Sequence, residues 1–287
     1  MIYQNAAAWR QADQKRVLLF GMSGLGKTHI SNLLRDAGDW FHYSVDYRIG
    51  TRYLGEHITD NFKREAMKNP FLRQLLLTDS IYVASNITFD NLAPLSTWLG
   101  KPGNPAKGGL AFTEYLRRQA LHHDAEVAAL LDTTRFIDRA SEIYGYGNFV
   151  CDSGGSICEV VDPDDPADPV LRELSNHLLM VWIEGSDAHT DELVRRFRKA
   201  PKPMYYRTEF MVAAWESYLA DRGVTEEQVD PDDFMAATYA RAMAHRQPLY
   251  AAMARNWGVT VKADDVARVR SAADFTELVA AALEMRG

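Results

Sequence analysis

Gly21-Met22-Ser23-Gly24-Leu25-Gly26-Lys27-Thr28 fits the phosphate-cradling pattern GxxxxGK[ST] at every fixed position. Arg16-Val17-Leu18-Leu19-Phe20 before it is a short apolar run ending in Gly, as a buried parallel strand should be, and Thr28 to Leu34 after it has helical spacing. A strand, a glycine-rich turn and a helix in that order point successive backbone N–H groups at the positive end of the helix, where phosphate is stabilised. In this reading Gly21, Ser23, Gly24, Leu25, Gly26 and His29 surround the phosphates of a nucleotide. Lys27 reaches the β and γ phosphates, and the Thr28 hydroxyl binds the Mg²⁺ that bridges them. The alternative is a strand-to-helix turn that binds nothing. Gly26-Lys27-Thr28 in register, with both flanks correct, speaks against it.

Composition narrows what surrounds this loop. A chain of 287 residues with 47% hydrophobic content can build one elaborated domain or two small ones. A formal net charge of −7 argues against a general affinity for nucleic-acid backbone or anionic lipid, either of which needs a basic surface. Met1 to Lys15 carries no apolar run of secretory type, and no stretch is long and apolar enough to span a membrane, so a cytoplasmic protein is expected. Cys151 and Cys158 match no common zinc spacing and are expected to be buried free thiols.

Along the chain, Trp40-Phe41-His42-Tyr43-Ser44-Val45-Asp46 reads as a second strand that delivers Asp46 at its carboxyl end, where open α/β sheets bind their ligands. A solvated strand-end Asp is the alternative. From Gly55 to Tyr144 the pattern is mostly helical, with segments at Glu56 to Lys68, Phe71 to Thr78, Phe112 to Leu131 and Thr133 to Tyr144, far more than a crossover needs. Gly100 to Gly109 interrupts it as a surface loop with two lysines. Asn148-Phe149-Val150-Cys151-Asp152 is the third strand, and its closing Asp152 sits where phosphate-loop proteins place a second Mg²⁺ contact. Asp162 to Pro169 reads as a solvated acidic loop, and Leu178 to Ile183 as a fourth strand. Arg195, Arg196, Arg198 and Lys199 end the following helix before Pro201-Lys202-Pro203, a cationic segment suited to a lid over transferring phosphate. Residues 205 to 253 read as helical with a polar interruption at Asp221 to Asp233, and Gly258 to Lys262 as a fifth strand. Strands alternating with helices predict an α/β fold with a parallel, helix-covered sheet.

These residues resemble, in order along the chain, the shikimate kinase branch of the P-loop small-molecule kinases. GMSGLGKT is similar to that family's phosphate loop. Ser44-Val45-Asp46 takes the place of its Asp-x-Asp, with Asp46 kept and Ser44 replacing the first Asp. Asp152-Ser153-Gly154-Gly155-Ser156 resembles its strand-end glycine turn, whose backbone meets the acceptor; the carboxylate lost at Ser44 reappears at Asp152. Arg195-Arg196 resembles its lid-proximal Arg pair, Lys202-Pro203-Met204 its lid Arg-Pro-Leu, and Arg246-Gln247-Pro248-Leu249-Tyr250 its Arg-x-Pro-Leu-Tyr. The family's Phe-Arg-x-x-Glu is only loosely echoed in Phe62-Lys63-Arg64-Glu65, which implies an acceptor other than shikimate.

The resemblance implies a three-layer P-loop NTPase sandwich of five parallel strands in the order 2-3-1-4-5. It would be one domain over residues 1–287, with a core near 15–55, 146–207 and 241–287 and helical insertions near 56–145 and 208–240. It implies ATP and Mg²⁺ as cofactors and a small, anionic acceptor phosphorylated at a hydroxyl. Lys27, Asp46, Arg196 and Lys202 would be catalytic, Arg196 also contacting the nucleotide, and Thr28 and Asp152 would hold the metal. Asp46, Arg52, Arg64, Gly154, Gly155 and Arg246 would receive the acceptor, Arg246 through its anionic group. Two other readings stand beside it: an ATP-driven switch with a protein partner on the helical insertion, and a nucleotide or polynucleotide-end kinase.

Overall fold

A computed structural model describes residues 1–286 and therefore all but the last residue of the expected 1–287 domain. The first elements are α1 (Ala6–Gln11), β1 (Arg16–Phe20), α2 (Lys27–Asp36), β2 (Trp40–Ser44) and α3 (Val45–Arg48). There follow α4 (Gly55–Ala66), α5 (Pro70–Leu77), α6 (Ala93–Leu99), α7 (Phe112–Glu142), β3 (Asn148–Asp152) and α8 (Pro169–His177). The chain closes with β4 (Leu179–Glu184), α9 (Asp187–Lys199), α10 (Thr208–Arg222), α11 (Pro231–Trp257), β5 (Gly258–Lys262), α12 (Ala263–Val266) and α13 (Ala272–Arg286). Two compact units result: Met1–Val45, Glu126–Pro201 and 236 onward form the first, and Asp46–Ala125 with Lys202–Met235 the second.

The first unit holds a five-stranded sheet in the order β2-β3-β1-β4-β5, every pairing parallel. This is a helix-flanked α/β sheet with the strand order expected from the sequence. β1, β3 and β4 are apolar and buried along nearly their whole length, because helices cover a parallel sheet and leave no wet face. The register pairs Leu19 with Asp152 and Ser44 with Asp152, so β1, β2 and β3 end in one layer and the turns that leave them meet there. At the β2 edge the aromatic side chains pack onto α7, with the Phe136 ring 4.9 Å from Tyr43 and the Tyr43 hydroxyl donating to Ala129 O at 2.7 Å. The stretch 126–142, read above as part of an insertion, thus serves this sheet.

Three local departures from the sequence reading have physical causes. β2 stops at Ser44 and the chain turns helical at Val45, so Asp46 lies in the first turn of α3 rather than at a strand end. The two helices expected on either side of Asp132 are one helix of 31 residues, because nothing in Leu131-Asp132-Thr133 interrupts the backbone ladder. The acidic loop expected to be solvated ends on a buried residue: Asp168 accepts from Val170 N at 3.0 Å and Leu171 N at 2.8 Å and thereby caps α8, with Pro169 in its first turn.

The second unit has an aromatic core of its own. Phe112 stacks on Trp215 at 4.5 Å, and Phe234 meets Trp215 edge-on at 5.0 Å. The loop from Gly100 to Gly109 is pinned here, with Asn104 N donating to Val229 O at 2.8 Å, Lys107 paired with Asp230 at 2.9 Å and Lys101 paired with Asp232. Its two lysines are therefore engaged by carboxylates of the same unit.

Among the described residues, no helix is long and apolar enough to cross a membrane. The N-terminal helix is fastened to the last one through Trp9, which is fully buried and donates from Nε1 to Thr276 O at 2.8 Å. Trp9→Ala removes both the buried ring and that hydrogen bond. It is expected to lower stability by about 3–5 kcal/mol, read as a shift of the urea midpoint with an unchanged m-value.

Candidate active site

The loop after β1 reverses through glycines, and Gly21 illustrates why. Its φ is +132°, and a Cβ there would lie 2.6 Å from the Ile183 carbonyl oxygen of the neighbouring strand. Only glycine allows the loop to leave β1 so close to β4. The loop then closes on its own lysine: Lys27 Nζ donates to Gly21 O at 2.8 Å and Met22 O at 3.1 Å. A buried ammonium must be compensated, and here the carbonyls at the mouth of the loop contribute that compensation.

Thr28 follows on α2, and its hydroxyl donates to Asp152 Oδ2 at 3.1 Å. The sheet register brings Asp152 there by placing the last residue of β3 opposite Leu19, one residue before the end of β1. Ser153 secures the strand's exit, since both its N–H at 3.2 Å and its hydroxyl at 2.8 Å donate to Leu19 O. Asp152 is buried, and desolvation raises its pKa above the ordinary Asp value; Lys27 and the Thr28 hydroxyl act in the opposite sense but do not cancel it. The Thr28 hydroxyl and the Asp152 carboxylate side by side are hard oxygen donors of the kind that could hold Mg²⁺.

Beyond Ser153 the chain makes the Gly154-Gly155 turn. Gly155 packs on the glycine-rich loop: a Cβ built on it would lie 2.9 Å from Ser23 Oγ. Its carbonyl accepts from Arg246 Nη1 at 3.0 Å and from the Tyr250 hydroxyl. Arg246 is buried at 2% exposure, and its Nε donates to the fully buried Glu159 at 2.8 Å. Ser156 donates from its hydroxyl to both carboxylate oxygens of buried Glu126 at 2.8 Å. Burial drives the Cys158 thiol up to about 12, and Cys151 rises for the same reason, so both remain protonated structural thiols.

The glycine-rich-loop residues Gly21 and Ser23 to His29, together with Asp152, Gly154, Gly155 and Arg246, all belong to the first unit. Arg196 belongs to that unit as well, exposed on α9, the helix that puts Leu193 Cδ2 3.1 Å from the Cβ position of Gly24. Phe197, next along α9, stacks on Tyr239 of α11 at 3.9 Å. Asp46, Arg52, Arg64 and Lys202 belong to the second unit. There Arg52 and Arg64 are exposed, and the segment just after Lys202 is held to α7: Gln119 Nε2 donates to Met204 O at 3.3 Å and Gln119 Oε1 accepts from Tyr206 N at 2.9 Å. Glu126 and Glu159 escaped the sequence reading, since nothing local distinguishes a buried Glu on a helix from a solvated one. Tyr250 lay inside the quoted RQPLY stretch, and its four-residue spacing from Arg246 was the available signal that the two share a helix face.

No protein-family model matches the chain, and no curated protein matches it. Among solved structures the chain is similar to a shikimate kinase from Bacteroides thetaiotaomicron, at 14% identity and a TM-score of 0.37, over 94% of this chain and 95% of that one. So distant a likeness assigns no activity.

The raised pKa of Asp152 has a measurable consequence. A carboxyl that binds its proton more readily folded than unfolded contributes stability below its unfolded-state pKa, and that contribution is lost as pH rises through the folded-state value. Asp152→Asn mimics the neutral form at every pH. In nucleotide-free, metal-free buffer the variant is expected to match the wild type in acid and exceed its urea midpoint at neutral pH, measured from pH ~4 to ~8. A variant less stable than the wild type at neutral pH would contradict this.

Proposed function

We propose that this protein is an ATP-dependent phosphotransferase acting on a hydroxyl of a small metabolite other than shikimate. One observation supports the reading above the others: Thr28 Oγ1 and Asp152 Oδ2 are in hydrogen-bond contact at 3.1 Å beside Lys27, in the first turn of the helix that follows a glycine-rich loop. ATP with Mg²⁺, held by residues 21 to 29 and by the Thr28–Asp152 pair, would supply an electrophilic γ-phosphoryl group.

Phosphoryl transfer asks mainly for positioning and charge neutralisation. Lys27 is the buried cation assigned to phosphate oxygens, its ammonium donating to the carbonyls of Gly21 and Met22 at the mouth of the loop. Thr28 and Asp152 hold the metal's side of the site. Arg196, exposed on α9 at the phosphate loop's flank, and Lys202 are the cations assigned to the developing charge and, for Arg196, to the nucleotide. Asp46 is assigned to the acceptor hydroxyl, as orienter and proton acceptor, with Arg52 and Arg64 as candidate acceptor ligands. An anionic acceptor would be held by these two rather than by Arg246, whose guanidinium faces Glu159.

The test is a screen of metabolite pools for stimulated ADP release, followed by mass detection of a phosphate-sized gain on the acceptor. ADP release that ignores every metabolite would instead mark a nucleotide switch. With an acceptor in hand, Lys27→Ala is expected to lower kcat by at least about 10²-fold, as loss of a charge-stabilising donor does. Asp46→Asn should abolish transfer while leaving the MgATP affinity intact. Loss of MgATP affinity in that variant would reassign Asp46 to the metal.

A further inference from the structure

Arg246 is a buried cation whose charge is already answered. Its Nε donates to Glu159 Oε1 at 2.8 Å, Glu159 is fully buried, and His245 Nε2 stands 3.4 Å from the other carboxylate oxygen. Drawing Arg246 away to bind a ligand's anion would leave the Glu159 carboxylate buried without its guanidinium, the arrangement proteins tolerate least. The other arm of Arg246 points elsewhere. Nη1 donates to Gly155 O at 3.0 Å, and the Tyr250 hydroxyl, one helical turn further along α11, donates to the same oxygen. A carbonyl oxygen has two lone pairs, so these two donors saturate it.

That saturation fixes more than one atom. No cis peptide bond occurs among the described residues, so the direction of the Gly155 carbonyl sets the plane of the Gly155–Ser156 peptide and turns the Ser156 N–H to the opposite side. Ser156 is fixed from its other end as well, through its hydroxyl on Glu126 at 2.8 Å. The turn held in this way lies against Ser23 of the phosphate loop, with the Gly155 Cβ position 2.9 Å from Ser23 Oγ. Neighbouring Gln247 reaches the loop too, its Nε2 3.6 Å from Met22 Sδ.

We propose that Glu159, Arg246 and Tyr250 form a clamp on the Gly155 carbonyl that sets the Gly154-Gly155 turn against the phosphate loop, making Arg246 a positioning residue for the nucleotide site and not a ligand of the acceptor. The inference rests on the phosphate-site reading above. It departs from that reading's family resemblance, in which the matching Arg grips the acceptor.

The test is calorimetric titration of the full-length chain with MgADP, in the wild type, Tyr250→Phe, Arg246→Lys and the double variant, at a temperature where circular dichroism shows each to be folded. Tyr250→Phe keeps the ring and removes one donor, so MgADP affinity should fall about threefold to tenfold, the usual span for one hydrogen bond. Arg246→Lys keeps the charge opposite Glu159 but cannot serve Glu159 and Gly155 with one planar fork, and should lose at least as much. The double variant should lose less than the product of the two, since both donors act on one oxygen. A merely structural role would lower the melting temperature and leave the affinity of the folded protein unchanged. Wild-type binding that survives both substitutions removes the clamp alone, as does Arg246→Lys with full MgADP affinity but no response to an acceptor. No MgADP binding by the wild type removes the phosphate-site reading and the clamp's purpose with it.

Discussion

The site depends on one constraint, the parallel ladder that holds Leu19, Ser44 and Asp152 side by side at the carboxyl ends of three strands. Adjacent strands run about 4.8 Å apart, so the turn leaving β3 cannot escape the loop leaving β1. Asp152 is carried into the interior by the strand that ends on it, and the sheet rather than any affinity of the carboxylate for that place determines its position. The consequence is an acid whose pKa is raised by desolvation and held beside a hydroxyl and an ammonium.

Register also explains how a serine can stand where a related pattern has an aspartate. Ser44 and Asp152 are paired across β2 and β3. Two carboxylates at that separation would repel each other in a buried layer, and only one would ionise readily. Placing the single acid on β3 sets it at the foot of α2, where Thr28 can reach it. β2 ends at Ser44 and the chain turns helical at Val45, so Asp46 lies in the first turn of α3.

Much of this was legible because it is local. The glycine-rich turn after β1, the five strands and Asp152 at a strand end are each readable within a few residues, since glycine spacing and short hydrophobic runs report backbone geometry directly. α8 was legible too but passed over: Asp168-Pro169 is a capping residue followed by a first-turn proline, masked by the prolines that precede it. What could not be read is pairing between distant residues. Arg246 with Glu159, and Ser156 with Glu126, join positions 87 and 30 apart in sequence, and no periodicity announces that a helical Glu faces inward.

Those buried pairs also bear on how the Gly154-Gly155 turn is held. A charge pair in the interior is seldom more stabilising than apolar residues of the same volume, because both ions lose their hydration, whereas breaking one partner away is costly. A chain selected only for stability would have little use for Glu159, Arg246 and Glu126 beneath one glycine turn. Their directional contacts instead exclude alternative placements of Gly155 and Ser156, since any shift of the turn strands a buried donor or acceptor. Apolar packing tolerates a sliding turn, and a saturated carbonyl does not. The polar cluster therefore trades stability for a turn of single geometry beside the glycine-rich loop.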